Sequence, residues 1–284
     1  SVSAQNYLGF VATENTIFSY NAGITVKPLP NGSIYAAYAT ASQPVGQEID
    51  GNASLYGGLA PTQSSAQVFG PQTTQAVEVG TKWEFFDRHL LATAAVFQTD
   101  VTNARETAPA GIPGITTGTI TANASYRVQG IDIELSGKIT EKWSILGGLV
   151  PMKNPVTGSI NPLNVGLNMA NIANESFNLL TKYRALDWLE VGGQGIYRSQ
   201  IMGGTLLAAN GGVAAGVQPN PTILPSYWRF DAFAEAKVSD NAKIKLQVTN
   251  LFDKLYYDGF YQSAQPFVLV APGRTISVVG SLKF

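Results

Sequence analysis

The sequence predicts an all-β protein, a transmembrane antiparallel β-barrel of about eleven strands, and three observations carry that prediction. Only 13 % of the 284 residues are charged, about half the share of soluble domains. No apolar run approaches the ~18 residues that a membrane helix needs, so a helical membrane protein is excluded. Apolar residues recur instead at alternate positions, in segments joined by two kinds of connection: short charged turns, and long loops rich in Gly, Pro, Ser and Asn. Tight turns at one rim and long loops at the other are the asymmetry of a membrane barrel; a β-sandwich distributes its connections less one-sidedly.

The terminal segment, residues 275–284, sets the pattern. Ile276, Val278, Gly280, Leu282 and Phe284 fall on one face, and Thr275, Ser277, Val279, Ser281 and Lys283 on the other. The last strand of a soluble sandwich alternates in the same way, and this strand alone does not separate the two folds. A soluble sheet ending here would leave an apolar row and unpaired backbone groups in water. A closed barrel turns that row towards lipid.

In chain order, residues 16–27 place Phe18, Tyr20, Ala22, Ile24 and Val26 on one face, turn through residues 28–32, and return over 33–40. After a long polar stretch, 41–73, residues 74–86 set Val77, Val79, Thr81, Trp83 and Phe85 outward and Glu78, Lys82 and Glu84 inward. They turn at Asp87-Arg88-His89 into 90–101. A Gly/Thr/Pro-rich loop, 103–123, precedes 125–139, where Ile131, Ile133 and Leu135 oppose Asp132, Glu134 and Ser136. Residues 143–152 run back. The loop 153–174 leads to 177–183, a turn at 185–187, and 188–199. A Gly-rich loop ends at Leu224. Residues 227–238 then set Trp228, Phe230, Ala232, Ala234 and Ala236 against Tyr227, Arg229, Asp231, Glu235 and Lys237. The Ser239-Asp240-Asn241 turn opens a long strand from Ala242 to about Tyr257, and a loop to Gly273 precedes the terminal strand. Trp83, Trp143, Trp188 and Trp228 all lie near strand ends, where aromatic girdles meet the membrane interface.

Enzyme chemistry finds little support. The single histidine, His89, sits in a charged turn, and there is neither a phosphate-binding Gly-rich loop nor a His/Glu metal spacing. Asp132 and Glu134 share a face that a barrel turns to its lumen, where carboxylates are usually structural. With no cysteine, a disulfide scaffold and a thiolate metal site are excluded. A net charge of −1 gives no electrostatic footprint for nucleic acid. The Asn-x-Ser patterns at Asn31, Asn52, Asn123 and Asn174 recur by chance in loops of this composition.

Residues 248–257, Val-Thr-Asn-Leu-Phe-Asp-Lys-Leu-Tyr-Tyr, followed by Pro272-Gly-Arg-Thr-Ile276 and the terminal Phe284, resemble the carboxy-terminal end of TonB-dependent outer-membrane receptors. Residues 224–231 and 79–83 fit the same family. Asn103-Ala-Arg105 with Tyr126-Arg-Val-Gln-Gly130 is similar to its catecholate siderophore receptor branch. The resemblance covers essentially residues 1–284 and implies the carboxy-terminal half of a twenty-two-stranded barrel in the bacterial outer membrane, with a periplasmic carboxy terminus. The amino-terminal plug and the first barrel half are expected outside this chain, which agrees with the odd strand number. It implies import of a ferric catecholate siderophore, coupled to the TonB complex through the plug, with outer-membrane lipid and the barrel-insertion machinery as further partners. No cofactor is implied, since iron enters only as the siderophore-bound ligand, and Phe284 is the expected assembly signal. An anionic, flat-ringed chelate calls for guanidinium groups and aromatics near the outer mouth. Inward parity and height select Arg198, Tyr227, Arg229 and Tyr257, with Arg105 at a loop base; for each of these a lumen salt bridge or girdle role is the more ordinary one, ahead of ligand contact. A passive porin-like channel and a structural or adhesive β domain remain as alternatives.

Overall fold

A computed structural model describes residues 16–43, 70–108, 111–115, 120–203, 223–260 and 268–283. Its strands are β1 (Asn21–Leu29), β2 (Gly32–Gln43), β3 (Gln72–Phe85), β4 (Leu90–Thr107), β5 (Ile120–Lys138), β6 (Trp143–Lys153), β7 (Val156–Gly158), β8 (Glu175–Leu186), β9 (Leu189–Arg198), β10 (Ile201–Met202), β11 (Ile223–Leu224), β12 (Tyr227–Ser239), β13 (Ala242–Thr249), β14 (Tyr257–Phe260), β15 (Val268–Val270) and β16 (Thr275–Leu282). One sheet runs β1-β2-β3-β4-β5-β6-β8-β9-β12-β13-β16, each strand antiparallel to its neighbour, with β7 added beside β5. Two short sheets, β10-β11 and β14-β15, belong to the loops. The eleven-strand path is the one that the sequence alternation predicts.

Register carries a single face across the whole sheet. Ile24 lies opposite Ala36, which faces Val79, then Val96, then Ile131. Two residues along β5, Ile133 faces Leu149, which leads through Phe177 and Tyr197 to Trp228. Along β12, Ala234 faces Leu246, and Leu246 faces Val278. This face is apolar yet exposed, with Val278 at 69 % and Ile24 at 66 %. In water that surface would drive aggregation; against lipid it is the correct solvent-facing side. The opposite face carries Tyr35, whose hydroxyl donates to Glu78 at 2.6 Å, and the ion pairs Lys182–Glu190 at 2.8 Å and Lys243–Glu235 at 2.9 Å. Such half-exposed pairs contribute little stability. Their importance is in marking the wetted, lumen-facing side.

Aromatic residues bound the apolar band above and below. At the short-turn rim Trp83 pairs with Gly32, where a Cβ would stand 2.2 Å from the indole, so only glycine lets the ring lie flat across the neighbouring strand. Trp143 donates its Nε1 proton to Thr181 Oγ1 at 2.8 Å, and Trp188 sits in the β8–β9 turn. At the long-loop rim Trp228 stacks on Phe230 with centroids 5.7 Å apart and touches Phe177 and Tyr197. The Lys237 amide, nine residues beyond Trp228 on β12, bonds the Trp188 carbonyl at 2.8 Å. At ~3.3 Å per residue and a tilt of ~40°, the two belts lie roughly 23 Å apart, the height of a barrel's apolar band.

Three sequence expectations are corrected. The strand begun at Ala242 ends at Thr249 rather than near Tyr257, because Asn250 takes a left-handed φ of 54° and Asp253 one of 52°. The Asn250 side chain then closes the turn, accepting from Lys254 N at 2.9 Å and donating to Lys254 O at 2.9 Å. An Asn-x-x-Asp sequence offers the backbone this alternative to a ladder. Secondly, β4 and β5 continue well into the expected loop 103–123, through two register shifts, with Asn103 at φ 56°. Thirdly, the expected first strand begins at Asn21, leaving Phe18 and Tyr20 ahead of it. Phe284, Asn52 and most of the polar stretch 41–73 lie outside the described residues.

Candidate functional site

The long-loop rim builds its own packed layer above the membrane band. Val101, Ala104, Ala124, Val156 and Met169 form one buried cluster where β7 folds over the extensions of β4 and β5. Asn154, fully buried, organises the loop: its Oδ1 accepts from Met169 N at 2.9 Å and its Nδ2 donates to Asn174 Oδ1 at 3.1 Å. A second cluster, Ile201, Leu224 and Phe260, joins β10, β11 and β14, with Tyr257 packed at its margin.

Glu106 ties these loops to the β4 extension, accepting from the Ser159 hydroxyl at 2.7 Å and from Ile160 N at 2.9 Å. It is 5 % exposed and stands well above the membrane band. Burial pushes its carboxyl above the usual carboxylate range, against the pull of those two donors. With the folded pKa above the unfolded one, the native state binds the proton more tightly, so the contribution to stability is complete below the ordinary glutamate pKa and is lost as pH rises through the raised value. Protection of the Ile160 amide against hydrogen exchange, corrected for intrinsic chemistry, is therefore expected to be higher at pH 4 than at pH 7, and Glu106→Gln is expected to abolish the difference. Equal pH dependence in the two proteins rules out this carboxyl as the source.

Four of the five predicted binding residues meet at one place on this rim. Arg198, at the end of β9, pairs with Tyr227 at the start of β12, and its guanidinium lies 4.9 Å from the centre of the Tyr227 ring. Both Nη groups of Arg198 donate to main chain, Nη1 to Asp258 O and Nη2 to Tyr257 O. Tyr227 in turn packs on Tyr256 with ring centroids 4.4 Å apart. Arg229 donates to the Tyr256 hydroxyl at 3.3 Å and pairs with Asp231 at 3.0 Å. The order is thus Arg198, Tyr227, Tyr256, Arg229, Asp231. Tyr257 contributes only its carbonyl, and its side chain belongs to the Ile201 cluster. The ring between the arginines is Tyr256, 4 % exposed, which the sequence reading missed. A strand running unbroken to Tyr257 gives odd residues the inward face; the turn at Asn250 cancels that parity.

The two cations differ. Arg229 is neutralised by Asp231, whereas Arg198 is bonded to carbonyl oxygens and has no carboxylate partner among the described residues. The Nε groups of both are buried without an acceptor. Arg105 lies elsewhere, four strands away along the sheet on the β4 extension, donating to Asn103 O at 2.8 Å and Gly70 O at 3.0 Å. His89 accounts for itself locally, with Nδ1 2.6 Å from Phe86 O in a turn where Phe86, Asp87 and Arg88 all take left-handed φ.

A sheet with a lipid-facing apolar side, a polar lumen side, tight turns below and an organised loop layer above defines an outer-membrane β-barrel. More narrowly, the chain belongs to the TonB-dependent receptor family: residues 1–251 match the family described as TonB dependent receptor-like, beta-barrel. It is 31 % identical over 297 residues to the probable TonB-dependent siderophore receptor PiuA of Acinetobacter baumannii, covering 99 % of this chain and 36 % of that receptor. It is 28 % identical over 274 residues to the catecholate siderophore receptor Fiu of Escherichia coli K12, covering 96 % of this chain and 33 % of that one. The PiuA crystal structure superposes with a TM-score of 0.73 at 32 % identity, over 92 % of this chain and 35 % of its own. The closed form of Fiu gives a TM-score of 0.73 at 26 % identity, over 94 % and 35 %. The chain spans about a third of the length of these relatives, and its sheet is part of a barrel.

Proposed function

We propose that this chain forms part of the wall and outer rim of a receptor that imports a ferric catecholate siderophore across the outer membrane with energy supplied through TonB. The observation that carries the reading is the Arg198–Tyr227–Tyr256–Arg229 cluster at the loop rim, which sets two cations and the Tyr227 ring, backed by the buried Tyr256, for an anionic, flat-ringed chelate. Relatives named as siderophore receptors, one of them a catecholate receptor, support it. On this reading the short-turn rim faces the periplasm, and with it the end of β16, where Leu282 pairs with Ala242. The outer edges of β1 and β16 have no neighbour in the sheet among the described residues. Unpaired backbone groups in hydrocarbon cost several kcal/mol each, so further strands of the same receptor cover them.

The test is iron uptake by the complete receptor in a strain lacking catecholate receptors. Ferric catecholate uptake is expected to be restored and to stop on adding a protonophore. Arg198→Ala is expected to weaken chelate binding about tenfold or more, the loss of one hydrogen bond to a charged group. Uptake insensitive to the protonophore favours the passive channel, and unchanged binding by the variant removes Arg198 from the site.

A further inference from the structure

We propose that the β14 arm and the ligand compete for Arg198, so that occupying the site frees the arm; this rests on the site reading above. The arm carries β15 as its hairpin partner, and two anchors tie it to the rest of the rim. At one end Arg198 gives both Nη groups to the carbonyls of Tyr257 and Asp258. At the other end Asn171, in the β7–β8 loop, accepts from Phe260 N at 2.9 Å and donates to Phe260 O at 3.3 Å. Asn171 itself takes a left-handed φ of 60° and bonds the Met202 carbonyl through its own amide at 3.0 Å, so one residue joins three loops. Phe260, 5 % exposed, completes the hold by packing on Ile201 and Leu224.

The guanidinium is therefore already engaged, but by neutral carbonyls, and its Nε is buried without an acceptor. A catecholate oxyanion brings a full opposite charge to the guanidinium, an ion pair where the carbonyls offer only dipoles. It takes the same Nη protons, and the two carbonyls of β14 are released when it does. Asn171, the packing of Phe260 and the ladder to β15 then remain as restraints on this strand, and together they set the resistance that the ligand meets. Asn171 is a positioning residue that touches no ligand: weakening its grip raises the fraction of receptor in which Arg198 is open, and the apparent dissociation constant falls in proportion.

The experiment measures hydrogen exchange and affinity in the complete receptor, with iron(III) tris-catecholate as the probe. Saturating probe is expected to speed exchange of the Tyr257–Phe260 amides about tenfold, the signature of a local opening. Asn171→Ala is expected to raise that exchange without ligand and to bind the probe about threefold to tenfold more tightly. Asn171→Asp keeps an acceptor for the Phe260 amide and tolerates the left-handed backbone, so both readouts should return towards the parent. Gly203→Ala supplies an independent perturbation, since a Cβ there would stand 3.0 Å from the Phe260 ring and press the arm outward; it should shift both readouts as Asn171→Ala does. Probe binding with unchanged or slower exchange overturns the competition and leaves the site intact, as does weaker binding by Asn171→Ala in a correctly folded barrel. No binding by the parent receptor overturns the site and the competition together.

Discussion

Val278→Arg is expected to cost about 2–4 kcal/mol of barrel stability, whereas Ser277→Arg, one residue earlier, costs far less. Val278 stands in the middle of β16 on the apolar side, opposite Leu246 and 69 % exposed to what the register makes lipid. An arginine there must hold its charge in hydrocarbon or bend its stem towards an interface several residues distant. Ser277 lies opposite Gln247 on the face that carries Lys245 and the Lys243–Glu235 pair, where water reaches a new cation. Heat-modifiable gel mobility of the two variants, titrated with denaturant, reads the difference directly. Equal losses would mean that the face assignment of the terminal strand, and with it the register of the sheet, is wrong.

That face assignment was legible in the sequence because strand parity is a local property. Alternation over Thr275 to Leu282, or over Val77 to Phe85, needs no knowledge of the partner strand, and the sheet obeys it from β1 to β16. The loop layer was much less legible, since its order depends on single side chains reaching far along the chain. Asn171 meets Phe260 across 89 residues, and Glu106 meets Ile160 across 54. Neither contact has a periodicity to betray it. That Arg198, Tyr227 and Arg229 come together was legible because they sit on regular strands whose parity and height are countable. Tyr256 was not legible, because an unbroken strand through Asn250 turns Tyr257 inward and the turn there reverses that parity. A signal was present in Asn250-Leu-Phe-Asp253, a turn sequence set between alternating residues.

Asn250→Ala is expected to be the most damaging single change at the rim, on the order of 3–4 kcal/mol, and to abolish the arrangement of the binding cluster with it. Asn250 is 1 % exposed, and its side chain holds the turn from inside: Oδ1 accepts from Lys254 N, and Nδ2 donates to Lys254 O and, at 3.3 Å, to Pro272 O. Alanine leaves the Lys254 amide and two carbonyls without those partners, and asks a residue with a Cβ but no polar side chain to stay at φ 54°. The Asn250 amide also bonds Asp231 Oδ1 at 2.8 Å, while Asp231 Oδ2 holds Arg229, so the turn and the cluster share one carboxylate. Loss of the turn therefore moves Tyr256, six residues on, away from Tyr227 and Arg229. Asn250→Gly restores the backbone conformation without the bonds and is expected to recover about 1 kcal/mol; Asn250→Asp keeps the acceptor for Lys254 N and should recover more. Denaturant midpoints of the three variants, read beside their affinity for iron(III) tris-catecholate, test the link. An alanine variant that loses stability yet binds the chelate as the parent does would show that the cluster stands without the turn.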